Sequence, residues 1–355
     1  MDETPEWQPC IEQILAAPGV VAVLGSTDAG KTTFCAELAN AAFAAGIPCG
    51  VVDADVGQSE IGPPGAIGLG IIEERITATH DLRPRRLYFV GDISPVGHLV
   101  QCVVGVKKMV DEALHRGTKL VIVDTTGLIQ GTIGRKLKTY KIDLVQPAHL
   151  AAIQKAEEAE HILRAFERRE GLTMHRIKAS PHARSRSQEL RAGRRRLRLY
   201  EHFRMAEQHK LRLDDMDCWG TWLGAGHPLS WQETRNLEGM LDARVLHAEA
   251  IGSGLYVVAG SRYSAAGTER IQQELKFKSV AITQAQKFEG VLVGLSDSAG
   301  NTIEVGIVKK VDFVERTITV LSPIRSTAPV RRIVFGSLRA AEDGAEIGRL
   351  RTGEI

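Results

Sequence analysis

Gly25-Ser-Thr-Asp-Ala-Gly-Lys-Thr-Thr33 satisfies G-x-x-x-x-G-K-[ST] at every required position. An apolar, β-branched run, Val20-Val-Ala-Val-Leu24, precedes it, and a helix-forming run from Phe34 to Ala45 follows. Strand, glycine loop and helix in that order are the context in which a P-loop works. Gly25 and Gly30 allow the backbone to curl so that the N–H groups from Ser26 through Thr33, those of Thr27, Asp28 and Ala29 included, face a phosphate. The helix that follows adds its positive end. Lys31 reaches the β- and γ-phosphates, and the Thr32 hydroxyl suits a Mg²⁺ position.

Working outward, a second strand, Cys49-Gly-Val-Val-Asp53, runs into Asp53-Ala-Asp-Val-Gly-Gln58. Ile61-Gly-Pro-Pro-Gly-Ala66 is too irregular for helix or strand. A third strand, Arg86-Leu-Tyr-Phe-Val90, ends in Gly91-Asp-Ile-Ser-Pro-Val-Gly-His98, and a helix over Leu99 to His115 keeps an apolar stripe. Leu120-Val-Ile-Val-Asp124 is a fourth strand, closed by Asp124-Thr-Thr-Gly127; His149-Leu-Ala-Ala-Ile153 is a fifth, and Ala156–Arg168 reads as an amphipathic helix. The alternation predicts an α/β fold, a parallel sheet with helices on both faces. A helix rich in arginine is expected from Gln188 to about His209, with Arg191, Arg195 and Arg198 at i, i+4 and i+7 on one face. Beyond it, Trp219–Leu223, Leu255–Ala259, Gly290–Leu295, Ile303–Val308 and Thr317–Leu321 are short alternating runs, so a β-rich C-terminal domain is expected. The expected organisation is a short helical segment over 1–18, a P-loop domain over 19–212 with an arginine lid at 184–209, and the β-rich domain over 213–355.

The net charge of +2 hides an uneven distribution. Residues 161–212 hold 15 Lys/Arg against 5 Asp/Glu, leaving 30 basic and 38 acidic groups elsewhere. That pattern points to a polyanionic partner. No stretch approaches the ~20 apolar residues of a membrane span, and Met1-Asp-Glu-Thr-Pro5 is no signal pattern. The five cysteines are scattered, as expected of reduced thiols in a cytoplasmic protein. The eleven histidines show no zinc spacing, and Gly68-Leu-Gly70 lacks the Rossmann context.

Phosphoryl transfer needs a cradle, a metal, a group to position the nucleophile and cations for the developing charge. Asp53 and Asp55 leave the second strand on the P-loop rim, where one can serve Mg²⁺ and the other accept a hydroxyl proton. Asp124, followed by Gly127, fits a Walker-B-type acid at a strand end. The arginine helix can close on a phosphoryl group or grip backbone phosphates.

At these residues the chain resembles the RNA 5′-hydroxyl kinase family, which includes the kinase of pre-mRNA cleavage, its rRNA-processing relatives and archaeal single-chain members. The P-loop has the form G-x-T-D-x-G-K-T-T, and Asp53-Ala-Asp-Val-Gly-Gln58 with Pro63-Pro-Gly65 is similar to the family's D-x-D-V-G-Q…P-G block. Tyr88-Phe-Val-Gly-Asp-Ile-Ser-Pro95 looks like its clasp, and Arg186-Ser187 through Glu201-His-Phe203 like its arginine lid. The resemblance implies transfer of the γ-phosphate of ATP, with Mg²⁺, to the 5′-OH of RNA or DNA. It assigns Asp55 to the hydroxyl, Lys31 and Thr32 to ATP and Mg²⁺, and Arg191 and Arg195 to the reacting phosphate. It places Gln58, Asp92, Ser94, Pro95, Arg186 and Arg198 on the nucleic acid. Leu128 stands where many members carry tryptophan. Two other readings are a P-loop GTPase or ATPase switch, which lacks an N-K-x-D motif here, and a nucleotide-bound scaffold that binds RNA.

Overall fold

The computed structural model describes residues 7–180 and 187–355, which form two compact units divided after Arg198. In the first unit, four strands are buried at every position: β1 (Val20–Gly25), β2 (Cys49–Ala54), β5 (Leu120–Thr125) and β6 (His149–Gln154). Continuous apolar runs without alternation require cover on both faces, and helices supply it. The sheet adds β3 (Ala66–Ile71), β4 (Arg86–Phe89) and β7 (Thr173–Lys178), in the order β4-β3-β2-β5-β1-β6-β7. The strands from β2 to β7 in that order pair in parallel, whereas β3 is antiparallel to both β2 and β4.

The segment from Ile61 is irregular up to Gly65, as expected, and β3, for which the sequence pattern predicts no element, follows it. A Cβ on Gly68 would lie 1.9 Å from the carbonyl oxygen of Ile61, so the preceding loop lies directly on this strand. Its glycines answer that close approach and hide the strand from a propensity reading.

The helices are α1 (Gln8–Ala16), α2 (Lys31–Ala44), α3 (Leu99–His115), α4 (Gly131–Val145), the single turn α5 (Glu160–Leu163) and α6 (Gln188–Phe203). Helix α3 matches its expected span and buries Cys102, Val106, Met109, Val110 and Ala113 along one stripe. The helix expected over 156–168 shrinks to α5. Glu158 accepts the backbone N–H groups of Lys155 (3.0 Å) and Ala156 (2.9 Å), and the Gln154 side chain accepts that of Ala159 (2.9 Å). Side-chain acceptors there satisfy the backbone in place of helical carbonyls. On β6 and β7, His149 and His175 stack with Nδ1 and Nε2 3.0 Å apart, and His149 Nε2 lies 2.8 Å from the carbonyl of Ala17.

Helix α6 ends at Phe203, short of the expected His209, because β8 (Glu207–Arg212) pairs antiparallel with β16 (Thr317–Ser322). Strand pairing overrides helix propensity there. In the second unit β14 (Val291–Ser296), β15 (Thr302–Asp312) and β16 form the expected meander. On the other side of β14 lies β17 (Arg332–Ala340), flanked by β9 (Asp217–Trp219) and β18 (Glu346–Arg349). A separate four-stranded sheet holds β10 (His227–Pro228), β11 (Val245–Ile251), β12 (Gly254–Ala259) and β13 (Ser279–Gln284). Because β12 and β13 are parallel, a crossover must join them, and α8 (Ala265–Leu275) provides it beside α7 (Trp231–Leu241). The run Trp219–Leu223 leaves the sheet after Trp219.

Candidate active site

Strand β1 delivers Gly25 to the sheet rim, where a Cβ would lie 2.6 Å from the carbonyl of Ile153. Gly30 sits at φ +96° as the N-cap of α2, and Asp28 adopts φ +58°. Such left-handed residues curl the loop. Lys31 is only 7% exposed, and its Nζ donates to the carbonyl of Ser26 at 2.8 Å. Ser26 Oγ in turn donates to Glu158 at 3.2 Å.

Strands β2 and β5 place Asp53 and Asp124 side by side in register. Thr32 Oγ1 donates to Asp124 Oδ2 at 2.6 Å, while Asp124 Oδ1 is buried without a hydrogen-bond partner. Burial pushes the Asp124 carboxyl up to about 6 against the opposing pull of Lys31 and the Thr32 hydroxyl. Burial, reinforced by Asp124, pushes Asp53 up to about 8.

The two aspartates of the second strand have different work. Asp53 Oδ1 accepts the N–H of Asp55 (3.0 Å), and Oδ2 accepts from Ser59 Oγ (3.3 Å) and the N–H groups of Glu60 and Ile61 (2.5 and 3.0 Å). Its oxygens are taken up in shaping the 55–61 loop. Asp55 instead lines the cavity; its Oδ1 accepts the N–H groups of Gly57 (3.1 Å) and Gln58 (3.2 Å).

That cavity, about 430 Å³, is lined by P-loop residues Thr27, Asp28, Gly30, Lys31, Thr32 and Thr33, by Asp55 and Gln58, and by Arg191 and Arg194 of α6. Arg191 Nη1 meets Asp28 Oδ2 at 3.3 Å, and Arg194 meets Glu60 at 3.5 Å. Arg198 Nη2 donates to the carbonyl of Glu60 at 2.6 Å, fastening α6 to the 55–61 loop. Arg195 is absent from the lining, where Arg194 stands in its place. Arg186 lies outside the described residues. Asp92, Ser94 and Pro95 also lie outside the lining, but their loop backs onto Gly57, whose Cβ would be 2.8 Å from the carbonyl of Ile93. Within it Asp92 Oδ1 accepts the N–H of Ser94 at 2.9 Å.

Sequence reasoning missed Glu60 and the Thr77–His80 wall. The wall is held to α2 by Asn40, which exchanges two 2.9 Å hydrogen bonds with the backbone of Ile76. It also missed Lys138. This lysine is wholly buried on α4, donates to Thr125 Oγ1 at 2.7 Å, and also donates to the carbonyl of Thr126. Burial, with Lys141 and Lys31 nearby, holds its pKa well below the ordinary lysine value. Gly127 closes against the P-loop: a Cβ there would lie 2.3 Å from Thr27 Oγ1 and 2.6 Å from Thr27 N.

A glycine loop on a parallel strand, a buried lysine, and a threonine bonded to a strand-end aspartate define a P-loop protein built to handle a nucleoside triphosphate. Residues 25–205 match the family described as mRNA cleavage and polyadenylation factor CLP1 P-loop. The chain belongs to that family. It is 33% identical over 336 residues to the polyribonucleotide 5′-hydroxyl-kinase of Pyrococcus abyssi, covering 95% of this chain and 92% of that one. It is 30% identical over 340 residues to the enzyme of the same name from Methanocaldococcus jannaschii, covering 95% and 91%. Among solved structures, Clp1p in its complex with Pcf11p shares the fold, with a TM-score of 0.61 and 14% identity over 95% of this chain and 80% of that one.

Proposed function

We infer that this chain is an ATP-dependent polyribonucleotide 5′-hydroxyl kinase. The observation that carries the reading is one cavity lined by Lys31, Thr32, Asp55, Arg191 and Arg194. Relatives of matching length bear the name of that activity. The P-loop N–H groups and Lys31 hold the triphosphate. Asp55 accepts the proton of the terminal 5′-OH as its oxygen attacks the γ-phosphorus. The bond from that phosphorus to the β–γ bridging oxygen breaks, its electron pair leaves with ADP, and a 5′-phosphate end results. Arg191 and Arg194 offset the charge on the transferring group, exchanging Asp28 and Glu60 for phosphate oxygens.

Among the described residues no group of three His, Cys, Asp or Glu side chains converges as a metal site. Mg²⁺ needs no such cage, since it keeps waters and takes one or two protein oxygens beside substrate phosphates. Thr32 and Asp124, with its unpartnered buried oxygen, would hold it; bound there, it neutralises charge on the phosphates. Among the described residues no helix is long and apolar enough to cross a membrane, and Cys10, Cys35, Cys49 and Cys102 are buried free thiols; both fit the cytoplasm.

The test is transfer of label from γ-labelled ATP to 5′-OH RNA and DNA oligonucleotides. RNA is the expected acceptor, with the transfer lost in Lys31→Ala and Asp55→Ala. No transfer to any oligonucleotide would overturn the reading.

A further inference from the structure

Helix α4 has two faces that do different things. Leu137, Lys138, Lys141, Ile142 and Val145 are buried, and through Lys138 this face grips Thr125 and Thr126 beside the phosphate cradle. Thr132, Arg135, Lys136, Thr139 and Tyr140 recur at i, i+3, i+4, i+7 and i+8, which is a single stripe. With His161 these residues line a second groove of about 470 Å³.

The chemistry of this stripe is unusual for a merely solvated face. No carboxylate lines the groove, and neither Arg135 nor Lys136 makes an ion pair among the described residues. Asp143, the one acid on α4, faces Arg169 at 3.8 Å instead. Tyr140 stands 61% exposed between these cations and the end of the helix. Arginine and lysine beside an exposed aromatic ring are the elements of a single-strand site, in which cations take phosphates and the ring takes a base. The groove is also near the chemistry: α4 begins at Gly131, four residues after Gly127 packs on the P-loop.

We propose that the Thr132–Tyr140 stripe of α4 binds the single-stranded polynucleotide that follows the 5′-terminal nucleotide, with Arg135 and Lys136 on its phosphates and Tyr140 under a base. The proposal rests on the kinase reading. It extends the substrate's footprint beyond the cavity that holds the reacting groups.

The experiment compares KM for a 5′-OH dinucleotide with that for an unstructured 5′-OH RNA of about ten nucleotides. Wild type is set against the Arg135→Ala/Lys136→Ala double variant and Tyr140→Ala. The expected result is a KM for the longer RNA raised about tenfold, as loss of one stacked base or two phosphate contacts predicts. The dinucleotide KM and kcat should stay at wild-type values. The salt slope of binding to the longer RNA, read by anisotropy with a 5′-phosphorylated probe, should fall by about 1.4 in the double variant. An unchanged KM for both substrates, or an equal rise for both, would overturn the proposal. If wild type phosphorylates neither substrate, the kinase reading itself fails. Thermal melts of the variants exclude unfolding as the cause.

Discussion

Replacing Lys138 by methionine should separate stability from catalysis. Lys138 is a wholly buried amino group with no carboxylate in hydrogen-bond contact; its partners are the Thr125 hydroxyl and the Thr126 carbonyl. Such hydrogen bonds contribute about 0.5–1.5 kcal/mol each. Burying the polar amino group costs about 1–3 kcal/mol in return. A thioether of similar length removes both terms, so the net change in stability should lie within about 2 kcal/mol of zero. For a unit of this size that is a shift in Tm of less than about 8 °C. The loop from Asp124 to Gly127 loses its anchor, however, and Gly127 abuts Thr27 of the cradle. Displacing reacting groups by ~1 Å costs on the order of 10² in rate. Thermal unfolding and steady-state phosphorylation of a 5′-OH oligonucleotide would be measured on the same preparations. We expect kcat lowered ten- to a hundredfold with Tm nearly unchanged. Lys141→Met is the matched control: this lysine is also buried, but its Nζ has no hydrogen-bond partner. It should melt higher than wild type with kcat preserved. A Lys138→Met enzyme within twofold of wild-type kcat would refute the reasoning.

Three further outcomes are expected. Gly127→Ala pushes a methyl into Thr27, and an overpacking cost of about 1–3 kcal/mol should weaken ATP binding roughly 5- to 150-fold by nucleotide titration; unaltered affinity would contradict the packing. Asp55→Ala should abolish transfer and retain the fold, whereas Asp53→Ala strips four donors of their acceptor and should cost more than about 3 kcal/mol in urea unfolding. For Asp124, the folded pKa of about 6 exceeds the ordinary 3.8, so the folded state holds the proton more tightly. Its stabilising contribution is complete below pH 4 and is lost as pH rises through 6, by up to about 3 kcal/mol. Nucleotide-free Asp124→Asn should therefore melt with a flatter pH profile than wild type across that interval.

Much of the first unit is legible in the chain. Val20–Leu24, Leu120–Val123 and Leu150–Ile153 are continuous apolar runs that only a doubly covered sheet can bury, and the cradle residues are contiguous. Residues whose role depends on a distant partner are not legible. Glu60 matters because Arg194 and Arg198 reach it from α6, and no local period marks that. Lys138 reads as one more surface lysine until the sheet is known to lie over it. In the second unit α7 and α8 are short and only moderately apolar, and α8 follows from the parallel pairing of β12 with β13. A strand-by-strand reading cannot foresee that pairing.

The stacked histidines on β6 and β7 carry one more consequence. A carbonyl oxygen can only accept, so His149 must bear its hydrogen on Nε2 to reach Ala17. Neutral His149 then offers a bare Nδ1, and His175 must supply its Nε2–H to it. The chain of donors therefore runs one way, from the outer strand through the inner one to the end of α1, with both tautomers dictated by a single backbone oxygen. A second proton on His149 would set two donors face to face at 3.0 Å. Nitrogen-15 chemical shifts of these two rings would read the polarity of that chain directly.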